Sequence, residues 1–439
     1  MLAMLVQEDF TVDVRAFSLS CLSALALSVA AAATAATAHG ILLGVGTHFI
    51  NYPTAQPKLL GLAQQIGAES VRADTGWRTV EAIKGTYKIP VAWDEFVDNA
   101  TRRGIQPLLI LDYGNKFYDD GKLPRSRDAI EGFVHFASYV VTHFSGRVHY
   151  YEIWNEWNTG TGGYYPGGTA QEYARLFDPT YAAIKRIDPT AIVLATAGYY
   201  DWYAQLARVG VAGRADGVAI HPYVARDAAS PQAVDSNGAE RSVQLVINAE
   251  QTMRRVSGKN IPIYVTEIGW PTSTGNRGFP ESAVAQMAER SLLMFSALPY
   301  VRGVWWYDLI DDGTDSANAE DRFGLFSRRQ TLKPAGQDFQ SLALLLKSGT
   351  LTWNSSSDID NGLVVLEHHT AQQTSIIAWH VNEPERQSNS AYAASCNPSL
   401  SIVRVAGHAS TSYEPIPSIP TVITYDAGHC ASKPLLPIK

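Results

Sequence analysis

Short apolar runs alternate with stretches of helical period along most of the chain. Ile41-Leu42-Leu43-Gly44-Val45-Gly46 reads as a strand reaching Thr47-His48. Residues 55–67 follow with apolar positions at helical spacing (Leu59, Leu60, Ala63, Ile66) and stop at Gly67. Ser70-Val71-Arg72 and the run from Pro107 to Leu111 repeat the strand pattern, each followed by a helix, the second over about 127–144. The strand from Val148 to Trp154, the runs at Ala191–Ala195, Gly217–Ile220 and Ile261–Val265, and Gly303–Tyr307 continue it. Helices are predicted between them, and a last one runs from about Ala335 to Lys347. Eight alternating units imply a parallel sheet, and eight parallel strands imply closure. The expected fold is therefore α/β, a (β/α)8 TIM barrel over 39–347.

From about Ser348 the pattern changes. Val364–Glu367, Ser375–His380, Ser401–Arg404 and Thr421–Tyr425 are short strands between Gly, Asn, Ser and Pro loops, with no helix between them. They predict a small C-terminal antiparallel β domain, sandwich-like, over 348–439.

Polar residues collect just after the apolar strands, where barrels of this kind build active sites. Two stretches stand out. Tyr151-Glu152-Ile153-Trp154-Asn155-Glu156-Trp157 and Tyr264-Val265-Thr266-Glu267-Ile268-Gly269-Trp270-Pro271 each deliver a glutamate at the end of a strand and beside indoles. An unpartnered glutamate is expensive to hold there. Two of them suggest paired carboxylate chemistry, in which one carboxyl protonates a leaving oxygen and the other stabilises or attacks an anomeric carbon. The competing reading makes either one a solvated loop residue or an ion-pair partner.

Composition narrows the field. The 439 residues are 46% hydrophobic and 18% charged, which suits a large buried core. A net charge of −7 and the lack of any basic run argue against nucleic acid as a partner. Ten Trp and 21 Tyr supply aromatic faces on which sugar rings stack, although most aromatics are core. Phe17 to Ala33 is apolar, follows Arg15 and precedes Ala36-Thr37-Ala38, a secretory signal cleaved before His39 (1–38), and no membrane span. Glu8, Asp9 and Asp13 fit that signal poorly, so the true start is expected at Val14. Cys21 falls in the signal; Cys396 and Cys430 form an even pair in an exported chain, a disulfide unless they are two separate thiols. No metal or cofactor is expected. His368-His369 would face opposite ways on a strand, Gly44-x-Gly46 is no dinucleotide fingerprint, and Asp311–Asp315 lacks the spacing of a calcium loop.

Asn155-Glu156 after the fourth strand and Glu267 after the seventh resemble clan A of the retaining glycoside hydrolases, over about residues 41–346. Trp77 with Glu81, Gly85 and Tyr87, then Leu111-Asp112-Tyr113-Gly114-Asn115, looks most like family 39 and exported endoglycosidases that trim bacterial exopolysaccharides, with family 5 as neighbour. Trp157 is a departure, since many relatives carry Pro after the glutamate. The resemblance implies Glu156 as acid/base, its pKa raised with the help of the nearby Glu267 charge, and Glu267 as nucleophile. It implies that Asn155 holds the sugar 2-hydroxyl, that Tyr223 hydrogen-bonds the nucleophile and that His221 lines the site. Arg72 would keep Glu267 ionised. Trp306, or Trp305, would floor the subsite, with Trp77, Asp112, Asn115 and Trp154 also in substrate binding. Arg72 could instead pair Asp74, His221 could be a core histidine, and one of the two indoles should be core because neighbours on a strand face oppositely. The implied protein is a secreted or periplasmic monomer cleaving a polysaccharide from within. Its alternatives are an exo-acting β-xylosidase-like enzyme and a catalytically silent carbohydrate-binding barrel.

Overall fold

The structure is a computed structural model; it describes residues 40–48, 56–198, 201–224, 238–359 and 362–381, and beyond these only the backbone of five short strands. Strands β1 (Leu42–Gly46), β2 (Ser70–Gly76), β3 (Gln106–Asp112), β4 (Tyr150–Ile153), β5 (Ile192–Ala195), β6 (Gly217–Ile220), β7 (Ile263–Ile268) and β8 (Val301–Trp306) pair in chain order and close into a parallel barrel. Each is followed by a helix: α1 (Gln56–Gln65), α2 (Val91–Arg102), α3 (Arg127–His143), α4 (Ala170–Ile187), α5 (Trp202–Arg208), α6 (Gly238–Ser257), α7 (Glu281–Ala297) and α8 (Pro334–Ser348). The expected (β/α)8 barrel is the fold.

Both faces of each strand are covered, which is why the strands read as unbroken apolar runs. Outward residues such as Val71, Leu109, Ile153, Val218, Val265 and Trp306 join the helices in one large core. Inward residues Leu42, Leu108, Ile110, Leu194, Tyr264 and Trp305 form a second, smaller core inside the barrel. Trp305 dominates it and donates Nε1–H to Ser70 Oγ at 2.9 Å. Its bulk needs small neighbours: a Cβ on Gly44 would lie 2.3 Å from the indole, and one on Gly303 2.5 Å. These glycines are steric requirements of the floor.

Caps fix helix starts where the sequence offers them. Ser126 accepts from Ala129 N at the start of α3. Thr169 and Glu172 form a reciprocal capping box on α4.

After α8 the chain forms β9 (Gly349–Trp353), which the strand pattern did not announce, then β10 (Leu363–Thr370) and β11 (Thr374–His380). With β13 (Ser401–Arg404), β14 (Ala409–Ser410) and β15 (Thr421–Thr424) they make one six-stranded antiparallel sheet, while β12 (Tyr392–Ala393) pairs with β16 (Leu436–Pro437). Leu351, Val364, Leu366, Ile377 and Trp379 pack into the same core as the barrel helices. Trp379 donates its indole N–H to Glu240 Oε1 of α6 at 3.0 Å, a buried polar tie between sheet and barrel. The expected signal segment, Val14, and the expected Cys396–Cys430 bridge lie outside the described residues.

Candidate active site

Above the apolar floor the inward positions turn polar. On β2 the inward series runs Ser70, Arg72, Asp74, and Arg72 is the hub. It is 4% exposed and spreads its donors over three partners: Nε to Glu152 Oε2 at 2.9 Å, Nη1 to Glu267 Oε1 at 2.6 Å, and Nη2 to Asn155 Oδ1 at 3.0 Å. A guanidinium fork suits this because its five N–H groups sit in fixed directions. Glu152, wholly buried in β4, is a member that the apolar reading of its strand passed over. Burial pushes its carboxyl above the ordinary value against the pull of Arg72. Arg72 does not pair Asp74 by hydrogen bond; its pairing with Glu267 is the arrangement expected from the sequence.

Glu267 is held from both sides, because Tyr223 O–H donates to Oε2 at 3.2 Å while Arg72 takes Oε1. Glu156 lies opposite, on backbone bent by two left-handed residues, Trp154 (φ 67) and Glu156 itself (φ 50). Non-glycine residues adopt that region reluctantly, and functional sites are where such strain collects. The bend drives the Trp154 side chain outward among Tyr113, Trp157 and Tyr164 and turns Asn155 and Glu156 over the mouth. His221 Nδ1 is 2.8 Å from Glu156 Oε1, and its Nε2 is 2.9 Å from Thr266 Oγ1. Thr161 donates a short hydrogen bond to Glu156 Oε2. One carboxylate oxygen each of Glu156 and Glu267 and one ring nitrogen of His221 lie within 4.8 Å of one another.

The electrostatics reverse one expectation. Burial raises the Glu156 carboxyl, but the hydrogen bond and charge of His221, with Thr161 and Arg72, outweigh it and bring the pKa down to about 2. Burial lowers His221, yet Glu267 and Glu156 together lift it above its ordinary value. The resting pair is thus imidazolium and carboxylate, with the proton on His221. The sequence had suggested a raised Glu156.

The other expected residues divide sharply. Asn155, His221 and Tyr223 line the cavity. Asp112 lies buried just beneath its wall, 1% exposed. Trp77 is wholly buried, donates to Glu81 Oε2 at 2.6 Å and stacks on Tyr118; it is core. Asn115 spends its amide on Glu81 O and Phe117 N, shaping a loop. Trp154 is core beneath the site. Neither expected floor indole serves: Trp305 plugs the barrel interior, and Trp306 faces the helices, packed on Trp270 with its N–H on Phe323 O. Both are wholly buried. Tyr307, the residue just after β8, lines the cavity instead. The parity of the strand continues through it, so the signal was present.

The cavity has a volume of about 1470 Å³ and is lined from the ends of all eight strands. On its β1–β8 side His48 Nδ1 lies 2.7 Å from Asp312 and 3.2 Å from Asp308. Burial depresses His48, but these carboxylates raise it to about 10. The His48 ring is thus engaged by both carboxylates. The Glu156–His221–Glu267 trio is likewise satisfied by its own ion pairs.

Two strand-end glutamates facing each other across the mouth of a (β/α)8 barrel define a glycoside hydrolase. The profile described as Cellulase (glycosyl hydrolase family 5) matches residues 33–305, and the chain belongs to that family. A comparison with curated proteins finds no match. Among solved structures, a family 39 glycoside hydrolase from Bacteroides cellulosilyticus superposes with a TM-score of 0.70 at 23% identity, covering 88% of this chain and 80% of that one. A monomeric beta-xylosidase from Caulobacter crescentus gives 0.57 at 17%, covering 90% and 94%. A family 5 subfamily 18 enzyme from Streptomyces cattleya, in complex with GlcNAc, gives 0.55 at 18%, covering 70% and 80%. These likenesses establish the fold; the resemblance to clan A seen in the sequence holds.

Proposed function

We propose that this glycoside hydrolase is an exported, retaining endo-acting enzyme that cleaves a polysaccharide by double displacement. The observation that carries the reading is the approach of the Glu156 and Glu267 carboxylates, whose facing oxygens lie within 4.8 Å. Retaining enzymes hold the two carboxyls roughly 5–5.5 Å apart, too close for water to enter between nucleophile and anomeric carbon. Glu267, fixed by Arg72 and Tyr223, attacks that carbon while Glu156 protonates the departing oxygen.

The proton has a route. In the resting site it is on His221, whose largest support is the Glu267 charge. As Glu267 becomes an ester that charge disappears, and His221 passes its Nδ1 proton across 2.8 Å to Glu156, which hands it to the leaving group. Water then attacks the glycosyl-enzyme, Glu156 takes its proton, and the freed Glu267 draws that proton back to His221. Protons balance over the cycle, and Glu156 need not be a neutral acid at rest.

Endo action rests on the cavity. At about 1470 Å³ it exceeds the roughly 300–1,000 Å³ of small-molecule sites, which suits several sugar units. Export rests on the apolar segment before Ala36-Thr37-Ala38. The test is labelling by a 2-fluoro glycoside together with azide rescue. Glu267 takes the label, and Glu156→Gln loses natural-glycan hydrolysis but regains turnover of an activated substrate when azide is added. Near-normal glycan hydrolysis by Glu156→Gln would move the acid/base role elsewhere, and shortening by single sugars from one chain end would replace endo with exo cleavage.

A further inference from the structure

Asp74 and Asp112 stand side by side above Arg72, and the mechanism uses neither. Both continue inward series: Ser70, Arg72, Asp74 on β2 and Leu108, Ile110, Asp112 on β3, where Gly76 is the register partner of Asp112. Asp112 is 1% exposed, and neither of its carboxyl oxygens receives a hydrogen bond from a donor group among the described residues. Its hydrogen-bonding neighbour is the carboxyl of Asp74. Asp74 is half-buried and lines the cavity.

Two carboxylates cannot share such a place unless one keeps a proton. Burial and the Asp74 charge push Asp112 far above the carboxylate range, so the buried partner holds it. Asp112 O–H therefore donates to the Asp74 carboxyl, which lines the cavity. On the adjoining wall His48 lines the cavity, with Asp308 and Asp312 within ion-pair distance behind it. Arg72 is committed to Glu152, Glu267 and Asn155.

We infer that Asp74, propped by Asp112, binds neighbouring hydroxyls of the sugar unit beside the catalytic pair, and that this unit is an uncharged sugar rather than a uronate. The inference rests on the glycosidase reading above and specifies the substrate class of the same site. A carboxylate accepts two vicinal O–H groups well and repels another carboxylate.

The experiment assays wild type, Asp74→Asn, Asp74→Ser and Asp112→Asn on a panel of neutral and uronate-containing polysaccharides, with the thermal midpoint of each variant recorded. Wild type should cleave neutral glycans only. Asn at position 112 still donates an N–H to Asp74, so Asp112→Asn should raise KM by less than either Asp74 variant. Asp74→Asn and Asp74→Ser should each raise KM about tenfold or more at an unchanged midpoint, a pattern of lost binding. Wild-type KM in both Asp74 variants overturns the inference, as does an Asp112→Asn loss equal to that of Asp74→Asn or efficient cleavage next to a uronate. A wild type that cleaves no glycan overturns the glycosidase reading with it; one that cleaves but ignores Asp74 overturns the inference alone.

Discussion

The same eight strands build two unlike regions. The barrel floor is apolar, filled by Leu42, Leu108, Ile110, Leu194, Tyr264 and Trp305, with one indole N–H satisfied by Ser70. Toward and just beyond their C-terminal ends, these strands turn Arg72, Asp74, Asp112, Glu152, His221 and Glu267 inward. Side-chain parity carries over from one to the other except on β7, where a register shift between Val265 and Ile268 brings Glu267 inward next to Thr266. The floor gains stability from burial and close packing. The mouth holds buried charges that a hydrophobic replacement could match or better in stability. It is retained there because fixed charges stabilise a developing transition state that water would stabilise less well.

Turning part of the mouth into floor breaks this comparison most severely. Arg72→Met leaves Glu152 buried without its partner, and removing one member of a buried pair costs about 3–5 kcal/mol. It also frees Glu267, so kcat/KM should fall by about 10²–10³ or more. The double variant Arg72→Met/Glu152→Leu should recover much of the stability, read by denaturant melts, and none of the activity. Recovery of both would mean that Arg72 serves the fold alone.

A smaller effect tests the floor. Gly44→Ala brings a Cβ within 2.3 Å of the Trp305 indole, which is boxed in on all sides. Overpacking of this kind costs about 1–3 kcal/mol, with activity per folded molecule retained. Trp305→Leu added to Gly44→Ala should return part of the loss. An effect on kcat without one on stability would join the two regions that the structure separates.

Much of this was legible before the fold. Strand–helix alternation forces the barrel, and each candidate catalytic glutamate announces itself as a carboxylate ending an apolar run. What failed was depth. Trp305 and Trp306 sit on the right strand, but alternation gives the side a residue faces and not its height along the barrel axis, which strand tilt and register decide. Trp305 is inward one step too deep; Tyr307 stands at the mouth. Trp77 and Asn115 follow strands two and three and look similar to site residues, yet they close a loop around the buried Glu81. Glu152 could have been found: a glutamate between Tyr151 and Ile153 in a buried strand demands a cation, and Arg72 is the inward one among short apolar strands. The reversal of the Glu156 pKa was beyond reach, since it depends on the His221 contact at 2.8 Å across two strands.

The central claim is that Glu267 attacks directly because the two carboxylates leave no room for water. Proton NMR of the first product released from a glycan of known configuration tests this before mutarotation intervenes. The account predicts the substrate's own anomeric configuration in that first product. An inverted anomer would contradict it, removing Glu267 as nucleophile and leaving the barrel and its charged mouth without the mechanism assigned to them.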